Sequence, residues 1–315
     1  MIRAFALEPR LVATWGRREE FRFIHDKFGF GTPRVMLELP TFSKWRRAVY
    51  DAASDLALSP GDMKRIEELF RLFAEHKCRR PDSVYDGLLK WLQNAEGEYD
   101  RKPFAAILAT ENPRTHRAVL LPDQVGRTDT TWSCPTGATP ARTPEALAKA
   151  LCDMLVNCKA LHLVDPHFGP DRTDHRTVLA ALMNLLSEHR VVPEVIRVHC
   201  LGEGQGKPSL SFFQHEAAKM ADRLPQGTRI EFARWKQRSG GEKLHNRYVL
   251  TDLGGVALGT GLDAGQAGET DDLLLLSRDL YEKRWSQYVE NPAFDRVDSP
   301  PAIIGTYAPK QTKRR

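Results

Sequence analysis

The chain has 315 residues, 41% hydrophobic and 28% charged, which is material for one large or two medium cores. No apolar run approaches the ~20 residues of a membrane span, and the first nine residues carry acid and proline where a secretory apolar segment would lie; a cytoplasmic protein without a membrane span is expected. Of the net charge of +5, Lys310, Lys313, Arg314 and Arg315 supply four, so bulk charge argues neither for nor against nucleic acid. The five cysteines form no C-x2-C pair and no zinc-like set with histidines, so reduced thiols are expected, with no metal and no cofactor.

Residues 2–14 read as one or two strands broken at Pro9, and 17–28 as a helix with Phe21, Ile24 and Phe28 on one stripe. Phe28-Gly29-Phe30-Gly31-Thr32-Pro33 lacks the G-x4-G-K-[ST] pattern and reads as a turn. Helices follow from Thr41 through Ala53 and from Ser59-Pro60 to His76. A third, after Pro81-Asp82-Ser83, places Val84, Leu88, Leu89 and Leu92 inward. Residues 104–109 and 117–121 look like a strand pair. Residues 1–140 are therefore expected to form an α+β domain without a catalytic constellation, with Trp15, Trp45 and Trp91 as core residues.

The Thr-, Pro- and Gly-rich stretch 122–145 marks a boundary. A second domain, 141–298, then alternates: helix 143–156, strand 161–164, helix 173–189, strand 195–199, helix 211–224 and strand 229–235. A hairpin, a strand at 272–277 and a helix around 279–289 complete it. That order predicts an α/β fold, a mixed sheet flanked by helices. Residues 299–315 form a basic tail.

In such a sheet ligands approach the carboxyl ends of the parallel strands. That rule gathers Asp165, His167 and His199 at one rim, with Arg172, His175 and Arg176 near the start of the following helix, where the dipole favours anions. The hairpin is the most informative stretch. Its first strand alternates so that His245, Arg247, Val249 and Thr251 share a face. Asp252 falls at the turn, and the second strand ends in Gly259-Thr260-Gly261, where missing side chains would let a ligand reach the backbone.

The spacing His245-x-Arg247-x4-Asp252-x6-Gly259-Thr260 resembles the phospholipase D signature, His-x-Lys-x4-Asp-x6-Gly-Ser-x-Asn. The resemblance covers about residues 150–292. Arg247 stands at the lysine position, Thr260 at the serine and Leu262 at the asparagine. The resemblance implies a phosphodiesterase that needs no metal, with His245 attacking phosphorus, Arg247 and Thr260 holding the phosphate, and Asp252 or a neighbouring carboxylate orienting His245. The family uses a second histidine as general acid. With one motif copy, that group must come from a homodimer or from His167 or His199. DNA or RNA is the expected substrate, and homodimerisation or partner subunits are expected. The Arg247 and Leu262 departures point alternatively to a degenerate phosphate-binding or protein-interaction subunit. The hairpin also looks like the degenerate C-terminal domain of MIT-domain proteins, and the whole is similar to components of bacterial anti-phage defence cassettes.

Overall fold

The computed structural model describes residues 1–80, 82–125, 131–204, 206–221 and 224–305; the basic tail residues Lys310 to Arg315, and Pro81, lie outside the described residues. The chain divides into two compact units, Met1–Thr136 and Gly137–Arg315.

The first unit runs β1 (Arg3–Leu7), α1 (Pro9–Thr14), α2 (Arg18–His25), β2 (Arg34–Leu37), α3 (Phe42–Asp55), α4 (Pro60–Glu75), β3 (Lys77–Cys78), α5 (Trp91–Arg101), β4 (Ala106–Leu108) and β5 (Val119–Leu120). Its sheet has the order β3-β2-β1-β4-β5, and every pairing is parallel. The segments expected as a strand pair do pair, but side by side in parallel. Pro9 does not break a strand into two; it opens α1, where its missing N–H costs nothing. Phe5, Met36, Trp45, Phe73 and Leu108 lie in the unit's core, and the Trp45 indole donates to the Leu7 carbonyl at 2.7 Å.

One expected helix is displaced. Val84, Leu88 and Leu89 are exposed (Leu88 at 95%) and the helix begins at Trp91. Asn94 explains the shift. Its Nδ2 donates to the carbonyls of Asp86, Leu89 and Lys90, and its Oδ1 accepts the Asp86 amide at 2.7 Å, so these backbone groups are satisfied as a loop.

The second unit runs β6 (Gly137–Ala138), α6 (Pro144–Leu155), β7 (Ala160–Val164), α7 (Thr173–Glu188), β8 (Val195–Leu201), α8 (Leu210–Ala221), β9 (Ile230–Lys236), β10 (Arg247–Thr251), β11 (Gly254–Leu258), β12 (Leu273–Leu275), α9 (Arg278–Trp285), a π-helical turn (Ser286–Glu290), β13 (Asp295–Arg296) and β14 (Ala302–Ile304). Its mixed sheet has the order β13-β9-β8-β7-β10-β11-β12-β6, with β14 also on β9. Strands β7, β8 and β9 are parallel, and β10 enters antiparallel beside β7. Residues 302–304, expected as tail, are thus an edge strand. Arg234 of β9 holds this C-terminal segment through its buried pairing with Asp298 at 3.3 Å.

Candidate functional site

Strand register decides which ends meet. Tyr248 is opposite Val164, so Arg247 lies beside the residue that leaves β7, Asp165. Arg247 is also opposite Leu258, so the loop Gly259–Leu262 leaves β11 at this same edge. Asp165 ties the two exits together. It is 1% exposed; its Oδ1 accepts the His167 amide and its Oδ2 the Leu262 amide, both at 2.8 Å. Hydrogen bonds of this kind to a carboxylate are the strong ones. Arg172 is held by Asp174 at 2.6 Å. Lys207, in the loop after β8, donates to the Pro166 carbonyl at 2.7 Å.

Arg247 differs from its neighbours. It is half-buried and makes no hydrogen bond or ion pair among the described residues, and its Nε is enclosed without a partner. A guanidinium in this state is set to take an external anion. His245 precedes β10 rather than belonging to it and is exposed, as are Thr260 and His167. Partial burial lowers the His167 pKa, and the charges of Lys207, Arg247 and Arg172 lower it further against the pull of Asp165. Burial also lowers the Lys207 pKa. The edge thus sets exposed imidazoles among cations and carboxylates, with Arg172 already paired to Asp174 and Arg247 left over.

Asp165, His175 and Asp263 offer donor atoms within 4.8 Å of one another, the spacing of a possible metal centre. The histidine does not suit one. The Gly169 N–H donates to His175 Nδ1, at 3.4 Å, so Nε2 carries the proton and faces Asp165 Oδ2 at 3.9 Å. Nε2 therefore has no lone pair to offer. Asp263 is already paired with Arg142 at 2.9 Å.

Several expected site residues have other work. Asp252 sits at the opposite end of β10, where its Oδ1 accepts the amides of Lys159 and Ala160 at 2.7 and 3.1 Å. The five residues of β10 lie between it and His245, at ~3.3 Å each, so it cannot orient that imidazole. His199 is not at the rim; it is 0% exposed, and β8 continues past it to Leu201. The Trp235 indole donates to its Nδ1, which leaves the Nε2 proton for His162 Nδ1, both at 3.0 Å. Burial holds the His199 pKa well below the ordinary value. It is a satisfied core residue and cannot serve as general acid.

The two glycines also differ from expectation. A Cβ on Gly261 would lie 2.8 Å from both Asp165 Oδ2 and Asp263 Oδ1, and one on Gly259 would lie 2.8 Å from Asp271 Oδ1. They make room for the protein's own carboxylates, not for a ligand. The amides are used too: Gly259 donates to the Asp272 carbonyl, Thr260 to Asp271 and Leu262 to Asp165. Three of the four amides of Gly259–Leu262 are thus engaged, and the anion-binding capacity of this edge rests mainly on side chains. Lys207 and Arg142 were missed in the sequence. The strand-end rule could have found Lys207, since it follows the carboxyl end of β8; Arg142 carries no comparable signal.

No family model matches the chain, and no curated protein matches it. Among solved structures, a phospholipase D family member, Nuc from Salmonella typhimurium, aligns with 51% of this chain and 96% of its own, at 8% identity and a TM-score of 0.32. TrmBL2, an archaeal chromatin protein described as showing a novel mode of DNA binding, aligns with 54% of this chain and 57% of its own, at 11% identity and a TM-score of 0.27.

Proposed function

We propose that the second unit is a phospholipase D-like phosphodiesterase, a nuclease acting on DNA or RNA through a phosphohistidine. The observation that carries this reading is the unpartnered Arg247 guanidinium at an edge that also exposes His245 and Thr260. In the first step a neutral His245 nitrogen bonds to phosphorus as the P–O bond to the leaving alcohol breaks; a general acid protonates the departing oxygen. Arg247 and the Thr260 hydroxyl hold the non-bridging oxygens, with Lys207 adding positive charge nearby. In the second step the group that gave up its proton takes one from water, whose oxygen displaces His245. His199 is buried and satisfied, so the general acid is a second His245 in a homodimer, or His167.

A second reading, a phosphate-binding subunit without turnover, is favoured by one observation: Leu262 is buried where the signature has asparagine, with carboxylates filling the space beside Gly259 and Gly261. Cleavage of single- and double-stranded DNA and RNA in EDTA separates the two. Turnover that disappears in His245→Ala, from a particle of dimer mass, supports the enzyme. Oligonucleotide binding without turnover in the wild type supports the binding subunit.

A further inference from the structure

The first unit buries a cation that no carboxylate neutralises. Arg34, the first residue of β2, is 7% exposed. Its guanidinium lies over the Trp132 ring, 4.1 Å from the centroid, and Phe5, Phe23 and Phe28 stand around that ring at 5.7 to 6.2 Å. Nη2 donates to the Trp132 carbonyl, but Nε is enclosed without a partner. Among the described residues no carboxylate pairs with this guanidinium. The residue opposite it on β1, Arg3, is also basic, so the strand pair brings no counter-charge. The ring face recovers part of the cost of burial, yet charges in protein interiors are ordinarily paired.

The group placed to answer this charge is the Cys134 thiol. The carbonyl that accepts from Arg34 Nη2 also accepts the Cys134 amide, at 2.8 Å, so the two residues converge on one oxygen. Burial lowers the Arg34 pKa, and Cys134 is the described neighbour that acts against it. Cys134 is half-buried and in no disulfide. As a thiol it donates to the Thr131 carbonyl at 3.7 Å, a weak bond to give up on ionising beside a guanidinium.

The other four cysteines have different settings. Cys158 and Cys200 are enclosed, and burial pushes the Cys200 thiol up to about 12. Cys78 also lies near a buried arginine, but Arg80 is already paired with Glu98 at 3.6 Å and Cys78 is 1% exposed. Cys152 is half-buried like Cys134, and burial, with Asp153 and Glu188, pushes its thiol up.

We infer that Cys134 is a modification site, a thiol whose anion Arg34 stabilises and which hydrogen peroxide and alkylating electrophiles reach ahead of the other cysteines. With peroxide, the thiolate sulfur bonds to one oxygen as the O–O bond breaks. The departing hydroxide takes up a proton to become water; sulfur is oxidised to the sulfenic acid and peroxide is reduced.

The test is alkylation of the reduced full chain with limiting iodoacetamide, each cysteine followed by peptide mass spectrometry. A tenfold gain in acidity raises the thiolate fraction near pH 7 about tenfold, while lower basicity costs about threefold in nucleophilicity, a net gain of about threefold. Because Cys152 is pushed the opposite way, Cys134 is expected to react about tenfold faster than Cys152 at pH 7. That ratio is expected to fall severalfold by about pH 9.5, where both thiols ionise. Arg34→Gln, shown to be folded by far-UV circular dichroism, is expected to slow Cys134 about threefold or more at pH 7 and to leave Cys152 unchanged. Hydrogen peroxide followed by dimedone is expected to trap the sulfenic acid first at Cys134. The wild-type comparison needs no variant and decides alone if Arg34→Gln does not fold. Cys134 no faster than Cys152 at pH 7 overturns the inference, and so does a ratio that stays constant with pH, which marks exposure alone. Wild-type Cys134 reactivity in folded Arg34→Gln overturns it as well, as does dimedone trapped first at another cysteine or at none.

Discussion

Asp165 is the residue whose replacement reads out the assembly of the His245 edge most sharply. Its two oxygens serve amides in different surroundings: Leu262 is 3% exposed, whereas His167 is exposed. In Asp165→Asn the side-chain carbonyl still accepts the Leu262 amide, and the amide group turns toward His167, whose N–H can turn to water. The loss is then the charge assistance of one hydrogen bond and the whole of the other, about 3 kcal/mol. In Asp165→Ala the Leu262 amide is left enclosed without an acceptor, which adds about 1–3 kcal/mol. Removing the buried charge returns some desolvation cost and forfeits its attraction for Arg172 and Lys207 in both variants, so their difference is the cleaner quantity. Urea unfolding of the full chain, followed through the transition of the second unit, measures it. The expected order is wild type, then Asn, then Ala, with Ala lower than Asn by at least 1 kcal/mol. Equal stabilities for Asn and Ala refute the claim that Asp165 ties the β7 exit to the β11 exit.

Acid is expected to destabilise the second unit before its carboxylates titrate. Burial lowers the His162 pKa to about 4, while an unfolded histidine titrates near 6.5. Between these values the unfolded chain binds the extra proton, so the stabilisation is fully present above pH 6.5 and is lost as pH falls. From pH 7 to pH 5 the loss is about 2 kcal/mol from this residue alone, and His199 shifts the same way. Urea midpoints that stay constant over that range contradict the hydrogen-bonded pair. Asp252→Ala is expected to cost about 1–2 kcal/mol through the two freed amides while any phosphodiester turnover per folded chain stays at the wild-type level; a hundredfold loss of turnover with stability intact would restore Asp252 to the catalytic apparatus.

The sequence disclosed the second unit better than the first because its elements carry local signals of ordinary length. The strands 161–164, 195–199 and 229–235 stand close to β7, β8 and β9, and the helices between them have clear apolar stripes. In the first unit, β3 and β5 have only two residues each, too few for a periodic signal, and their parallel pairing is set by crossovers that no local window contains. Leu88 and Leu89 had the composition of a buried stripe, but the side-chain hydrogen bonds that settled the matter came from Asn94, beyond the expected helix start. At the site, Asp165 was readable from the strand-end rule and Arg247 from the alternation and spacing of the hairpin. The filling of the space beside Gly261 by Asp165 was not, because the two are 96 positions apart in the chain. His199 misled for a similar reason: its satisfying partners, His162 and Trp235, reach it from the neighbouring strands β7 and β9.

The central claim is that Arg247 receives a phosphodiester. The direct measurement is fluorescence anisotropy of a labelled single-stranded oligonucleotide at fixed salt in EDTA, comparing the wild type with Arg247→Ala, both in a His245→Ala background to prevent cleavage. The account predicts binding by the parent and an affinity about tenfold lower once the guanidinium is gone. Equal affinities, or no binding by the parent at all, would contradict it.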